Sequence, residues 1–272
     1  MPRSVRLVPA VLALAVALGG CSKNSDTTIP VYLDQEFGDE IAQHVGMLIA
    51  TNNGGSMLTL TTTAATIPAG AAIGQDAVRP ARDTLFAANA VAWSMADTFF
   101  TIGNTPQDDY DALSTHAAIH ASGQGQIQTA TFHASFLHHA DLQATGLAAL
   151  RDTIDMVGTA RDSSRAVFVG KFSAAVTRLL LVSTITHENV IVLKGQSPST
   201  PPLSALSDWT VAARRYDTGD TLQVNRESSV QVLIGYDGTT HAVMQVGGLY
   251  DYQVDLATGD ITRYGAQPLA GR

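Results

Sequence analysis

Apolar and polar residues alternate along most of the chain after about residue 85. Between Thr129 and Phe136, apolar residues occupy every second position and polar residues occupy the positions between them. A period of two is typical of a β-strand with one buried face, because successive side chains point to opposite sides. The same alternation recurs in RLLLVSTIT, NVIVLKG, DWTVAARRY, SVQVLIGY and HAVMQVGGLYDYQVDL. The pattern therefore predicts a mainly β protein.

Short connections separate the predicted strands. Some place a glycine where a tight hairpin needs a positive φ. These are 216–220, 236–240 and 256–261. Two others, RDSSR at 161–165 and THENV at 186–190, are interpreted as polar connections of similar length. Strands joined by such short loops must be antiparallel neighbours, so we expect a meander of roughly eight to eleven strands. It would occupy residues 85–265 as a curved open sheet, a half-barrel or a sandwich.

One amphipathic helix is predicted near the N-terminus, over residues 33–53. Its apolar positions recur at spacings of four and three, which places them on one helix face. They are Leu33, Phe37, Ile41, Val45 and Leu48. Asp34 is a suitable N-cap. Glu36, Glu40 and His44 share another face, which we interpret as solvent-exposed rather than as a metal site. The helix is expected to cover part of the open face of the sheet.

Residues 54–84 are rich in Thr, Ala, Gly and Pro and show no sustained period. Such a composition is typical of a flexible linker or a long loop. We therefore expect no helix in this segment, and at most an extended stretch near Thr59–Thr63.

The first twenty residues have the layout of a secretory signal peptide. Two arginines precede a run of Val, Leu and Ala, which ends in two glycines. The apolar run is shorter than the about 20 residues that a transmembrane helix needs. Cys21, the only cysteine in the chain, follows directly and has no partner for an intrachain disulfide.

The stretch Leu18-Gly19-Gly20-Cys21 resembles the lipobox of bacterial lipoproteins. The resemblance implies cleavage before Cys21, acylation of that cysteine, and a polar tether over residues 21–32. Several acyl chains anchor a protein far more firmly than one chain does. In that class of protein, Ser22 in the second position favours the periplasmic face of the outer membrane. The alternative is an ordinary signal peptide that a cysteine happens to follow.

The charge balance argues against nucleic acid as a partner. The chain carries 16 basic and 24 acidic side chains, a formal net charge of −8. Loss of the signal peptide would also remove Arg3 and Arg6. A surface of this sign repels phosphate backbones, and the sequence shows no run of Lys and Arg that would attract them.

Five of the eight histidines lie between His116 and His139. On a single strand, His133 and His139 would be about 20 Å apart, too far to bind one ion. A hairpin around Gly123–Gln126 would instead place His116 opposite His133, while His139 and Asp141 could share an ion. The candidate zinc ligands are therefore His116, His133, His139 and Asp141. The alternative is that these residues are a polar sheet face, and zinc usually needs three or four protein ligands.

No signature of a serine hydrolase, nucleotide-binding loop or zinc protease occurs in the sequence. We therefore expect a membrane-anchored envelope lipoprotein that is non-enzymatic, needs no cofactor, and binds an apolar ligand or an envelope protein, or is structural. A curved sheet with a helical cover would be similar in architecture to the lipoprotein-localisation carriers and receptors of the periplasm, although no motif supports that likeness. The alternative function is metal binding or metal-dependent hydrolysis by the histidine cluster.

Overall fold

The structure is a computed structural model of the whole chain. It describes residues 33–67, 83–86, 91–107, 110–111, 113–148, 151–169, 176–218 and 225–264. Within it, Tyr32–Arg272 forms one compact unit. The predicted signal peptide, Cys21 and the tether all lie outside the described residues.

The protein is mainly β, as predicted. A single open antiparallel sheet follows the order β1-β2-β4-β5-β6-β7-β8-β9-β10-β11-β12, and the short β3 pairs with β2. Consecutive strands are therefore neighbours in the sheet with one exception: β4 pairs with β2 instead of β3. The strands are β1 Asp83–Phe86, β2 Val91–Thr101, β3 Pro106–Gln107, β4 Ser114–Gln128, β5 Phe132–Thr145, β6 Thr153–Val169, β7 Val176–Leu193, β8 Ser204–Thr218, β9 Asn225–Tyr236, β10 His241–Val246, β11 Tyr250–Asp255 and β12 Ile261–Arg263.

The alternation predicted at Thr129–Phe136 continues through the whole of β5. Buried and exposed residues alternate without a break over its 14 residues. One face of the sheet is therefore packed against a core and the other faces water, as is common in antiparallel sheets. Two of the predicted hairpin glycines have positive φ, with 82° at Gly238 and 80° at Gly259. The third predicted hairpin, 216–220, lies partly outside the described residues.

Two stretches that we interpreted as connections lie inside long strands instead. RDSSR, at 161–165, is in the middle of β6. Asp162 and Ser164 point inward there, and the other three residues of the stretch point outward. One oxygen of the buried Asp162 carboxylate, Oδ1, is hydrogen-bonded to a histidine of the neighbouring strand, so the strand can continue through a polar sequence. THENV, at 186–190, is in β7, where the pairing with β8 shifts register after Glu188. Asn189 has a φ of 51°, which is consistent with a bulge rather than a turn.

The predicted N-terminal helix, α1, spans Gln35–Ile49. Asp34 caps it, since its side chain accepts a hydrogen bond of 2.9 Å from the backbone N–H of Phe37. A short 3₁₀ turn, Thr51–Asn53, follows. The prediction of a solvent-exposed face is wrong at Glu40 and His44, which are 0% exposed, whereas the Glu36 side chain is 42% exposed. The helix is buried on nearly every side because the curved sheet surrounds it.

A second helix, α2, spans Met57–Thr66, within the segment expected to be flexible. Threonine is a poor helix former, so tertiary contacts must override its propensity here. Thr61 donates a hydrogen bond of 2.5 Å to the carbonyl of Pro198, and the Ala64 carbonyl accepts one of 2.9 Å from Gly195. These partners are more than a hundred residues away, so no local pattern reveals them.

The segment between the two helices contacts regions near both ends of the strand order. The indole N–H of Trp93, on β2, donates a hydrogen bond of 2.8 Å to the Gly54 carbonyl. The backbone N–H of Thr51 donates one of 2.9 Å to the carbonyl of Leu256, which directly follows β11. The sheet therefore curls around this segment, and its inner face and the helices share one hydrophobic core.

Candidate ligand-binding site

The four predicted zinc ligands do not converge. His133 and His139 both point outward from β5, and six residues of strand separate them by about 20 Å. His116 stacks on Phe100, with ring centroids 4.9 Å apart. Across the described part of the chain, no three His, Cys, Asp or Glu side chains are grouped so that they could hold a metal ion. The geometry therefore gives the zinc hypothesis no support.

The predicted opposition of His116 and His133 is wrong. His133 pairs with Gln128 and His116 with Thr145, because the hairpin turns after Gln128 rather than at Gly123–Gln126. Gly123 lies inside β4, beneath the ring of Trp93, and an added Cβ would lie 2.6 Å from that ring. This glycine makes room for an indole and does not form a turn.

Asp141 pairs with His120 rather than with His139. The distance from its Oδ1 to Nδ1 of His120 is 2.5 Å, and the two side chains are 74% and 65% exposed. A pair this exposed contributes little to stability. The contact follows from the register of β4 and β5, which places these two residues directly opposite each other.

The inner face of the sheet holds a buried histidine–carboxylate pair that the sequence analysis did not identify. Nδ1 of His138, on β5, is hydrogen-bonded to Oδ1 of Asp162 on β6, and His138 is 0% exposed. The ring of Trp93 lies edge-on to this histidine at 5.2 Å. Nε2 of His138 has no hydrogen-bond partner within the described residues.

A second polar group lies further along the inner face. Nδ1 of His187 is 2.9 Å from Oγ of Ser207, which also interacts with the hydroxyl of Tyr236. Burial lowers the pKa of His187 to about 3, and the nearby His138 adds to this effect. Burial also raises the pKa of Tyr236 above its ordinary value. His187 and Tyr236 are therefore neutral at physiological pH, as a poorly hydrated interior requires.

Ion pairs hold α1 against the sheet. Arg215, on β8, lies 3.0 Å from Glu36 and 3.4 Å from Glu40. Arg226, on β9, pairs with Asp34 at the start of the helix. Because Arg215 and Glu40 are both buried, each needs the other to offset the loss of its hydration. These contacts fix the position of α1.

A pocket of about 370 Å³ opens where α1 meets the ends of two hairpins. Its volume is in the range of small-molecule sites. We call it the seam pocket. It is lined by Gln43, Met47, Asn52, Asn53, Thr129, Ala130, Thr131, Phe132, Thr258 and Asp260.

Hydrogen bonds hold the walls of the seam pocket in place. The side-chain amide of Gln43 donates to the carbonyl of Gly259 at 2.9 Å, and that of Asn53 donates to the carbonyl of Met47 at 3.2 Å. Asp260, the one carboxylate in the lining, accepts a hydrogen bond of 3.1 Å from the hydroxyl of Thr258. The lining thus combines amides and hydroxyls with the apolar side chains of Met47 and Phe132.

The sequence analysis missed the seam pocket because its parts are far apart in the chain. Its lining comes from the end of α1, the turn between β4 and β5, and the turn between β11 and β12. The two glycines at 54 and 55, directly after the predicted helix, were the one local signal of a loop here.

Comparisons with protein-family models, curated proteins and solved structures find no match. No helix in the described part of the chain has the length and hydrophobicity that a bilayer crossing requires. The interpretation of this chain therefore rests on its own sequence and geometry.

Proposed function

We propose that this chain is a bacterial envelope lipoprotein that binds a ligand or partner without transforming it. Acyl groups on Cys21 would hold it at the periplasmic face of the outer membrane. The support is the signal-like N-terminus, the lipobox-like Leu18-Gly19-Gly20-Cys21 and the single cysteine. The polar stretch before α1 would serve as the tether between lipid and folded domain.

The seam pocket is the observation that carries the binding proposal. Its amides and hydroxyls can donate to and accept from a neutral ligand, while Met47 and Phe132 offer it an apolar surface. From the sequence we expected an apolar ligand; this lining favours one that also carries hydroxyl and amide groups. N-acetylated sugars of the envelope have that chemistry.

Mass spectrometry tests the anchor. Protein made in a bacterium with its own signal peptide should begin at Cys21 and carry acyl groups on that residue. The Cys21→Ala variant should keep residues 1–20 or lose membrane association. An unmodified N-terminus at another position would contradict the lipoprotein proposal.

Isothermal titration calorimetry with N,N′-diacetylchitobiose tests the pocket. We expect saturable binding that weakens at least several-fold in Thr131→Val, because the variant removes a hydroxyl from the lining and keeps the side-chain shape. The matched control is Thr262→Val, an exposed position on β12 outside the pocket, which should bind like the unaltered protein. Absence of binding to the unaltered protein, or equal binding by Thr131→Val, would contradict the assignment of this ligand class to the pocket.

A further inference from the structure

The fold gathers arginines that are scattered in the sequence onto one outer surface. Arg161 and Arg165 point outward from β6, and Arg178 points outward from the neighbouring β7. Arg165 pairs in register with Leu180, and Arg178 with Val167. The sequence shows no basic run because inward-pointing residues and a whole hairpin separate these positions. The sequence therefore has no local cluster of basic residues, but the fold brings these three arginines together on one surface.

These three arginines have no carboxylate partner within the described residues. By contrast, Arg214 on β8 is 2.8 Å from Glu227. The outward positions of 133–139 on β5, 161–169 on β6 and 178–186 on β7 include no Asp or Glu. In a chain with a net charge of −8, this surface is a local concentration of uncompensated positive charge.

Aliphatic side chains lie among the arginines. Leu137 is 42% exposed and Val182 is 52% exposed. A shallow groove of about 260 Å³ lies beside Leu137, lined in part by Leu137, Ser163, Arg165 and Leu180. We call Arg161, Arg165, Arg178, Leu137 and Val182 the outer basic patch. Arginines around exposed aliphatic side chains are the combination that binds at the interface of an anionic membrane.

We propose that the outer basic patch docks on the surface of a membrane that contains anionic lipids. Its charge is complementary to lipid phosphates, and its aliphatic side chains suit the boundary between headgroups and acyl chains. The proposal extends the proposed anchoring, since a fully extended tether of 21–32 would keep residue 33, where the folded domain begins, within roughly 40 Å of the bilayer. Docking would orient the domain with its outer face on the membrane and its helices away from it.

Vesicle co-sedimentation tests the proposal with the compact unit Tyr32–Arg272, which lacks Cys21. The vesicles contain phosphatidylcholine with or without phosphatidylglycerol. We expect binding only to the anionic vesicles and release in high salt. Each arginine near an anionic surface contributes about fivefold to affinity, so Arg161→Gln/Arg165→Gln/Arg178→Gln should weaken binding roughly a hundredfold. Circular dichroism should show an unchanged fold, since all three side chains are exposed.

The matched control is Arg151→Gln, because it removes the same charge at an exposed site where the arginine is paired with Asp155. It should bind within about twofold of the unaltered unit, whereas Arg165→Gln alone should bind about fivefold more weakly. Equal losses in these two variants would overturn the proposal, because net charge alone would then explain the binding. Equal binding to uncharged vesicles would also overturn it.

Self-association without vesicles that is lost in the triple variant would identify a second copy of the chain as the occupant, and would refute membrane docking. Since the tested unit lacks Cys21, a failure of docking leaves the lipoprotein proposal standing. Conversely, an unmodified Cys21 would not affect the vesicle result.

Discussion

His44 should make the fold sensitive to acid. Its ring, on α1, packs edge-on against the rings of Phe132 and Phe168, at centroid distances of 5.7 and 6.4 Å. Neither ring nitrogen has a hydrogen-bond partner within the described residues. Burial therefore lowers the pKa of His44 to about 3. The folded protein keeps this histidine neutral at a pH where the unfolded chain protonates it.

The sign and size of the effect follow from that difference. An unfolded histidine with a pKa of about 6.5 takes up a proton as the pH falls below that value. The folded state takes up none until the pH nears 3, so its stability declines between these two values. At pH 5, about 1.5 units below the unfolded pKa, the loss is about 2 kcal/mol at about 1.36 kcal/mol per unit.

Urea unfolding at pH 7 and at pH 5, followed by circular dichroism, measures this loss. The His44→Leu variant has no titratable group at this position and keeps an apolar side chain against the two phenylalanines. Its loss of stability between the two pH values should be smaller than that of the unaltered protein by about 2 kcal/mol. Identical losses in both proteins would refute the assignment of a buried, neutral His44. His187 titrates in the same direction in both proteins, so it cancels in the comparison.

Three further predictions concern Asp97, Arg215 and Gly123. Burial raises the pKa of Asp97 to about 6, so the folded protein loses stability as the pH rises from the ordinary pKa of an aspartate towards that value. Asp97→Asn removes the charge and should therefore raise the urea midpoint at pH 7. Arg215→Met should lower the free energy of unfolding by about 3–5 kcal/mol in urea, because it removes the buried arginine that pairs with Glu40, and adding Glu40→Leu should restore most of the loss. Gly123→Ala should lower the free energy of unfolding by about 1–3 kcal/mol in calorimetry, because the added methyl group would collide with the indole of Trp93. Gly235→Ala is its control, since no atom lies within 4 Å of the added carbon.

The period-two pattern predicted the architecture well because it depends only on which face of a strand is buried. The same reasoning placed strand breaks at RDSSR and THENV, where polarity alone suggested loops. In the structure Asp162 stays inside β6 because His138, on another strand, is hydrogen-bonded to one oxygen of its carboxylate. A partner that depends on register is invisible to a local pattern.

The helices show a related limit. The spacing of apolar residues predicted α1 and its cap at Asp34, but not that Glu40 would be buried, since its partner Arg215 lies on β8. In the same way, α2 depends on the carbonyl of Pro198 and cannot be read from a threonine-rich segment. The candidate zinc ligands were predicted from an assumed register, and that register was wrong at His116 and His133. The seam pocket needed the complete fold.

The hydrogen bond between Gln43 and the carbonyl of Gly259 joins residues 216 positions apart. The strands from β4 onward, by contrast, pair with their immediate neighbours in sequence, so each hairpin closes only a short loop. The sheet can therefore assemble hairpin by hairpin from its middle, whereas α1 can dock fully only after the last hairpin has formed. We expect final enclosure of α1 to be the slow, non-local step, and until it occurs the hydrophobic face of the helix is exposed.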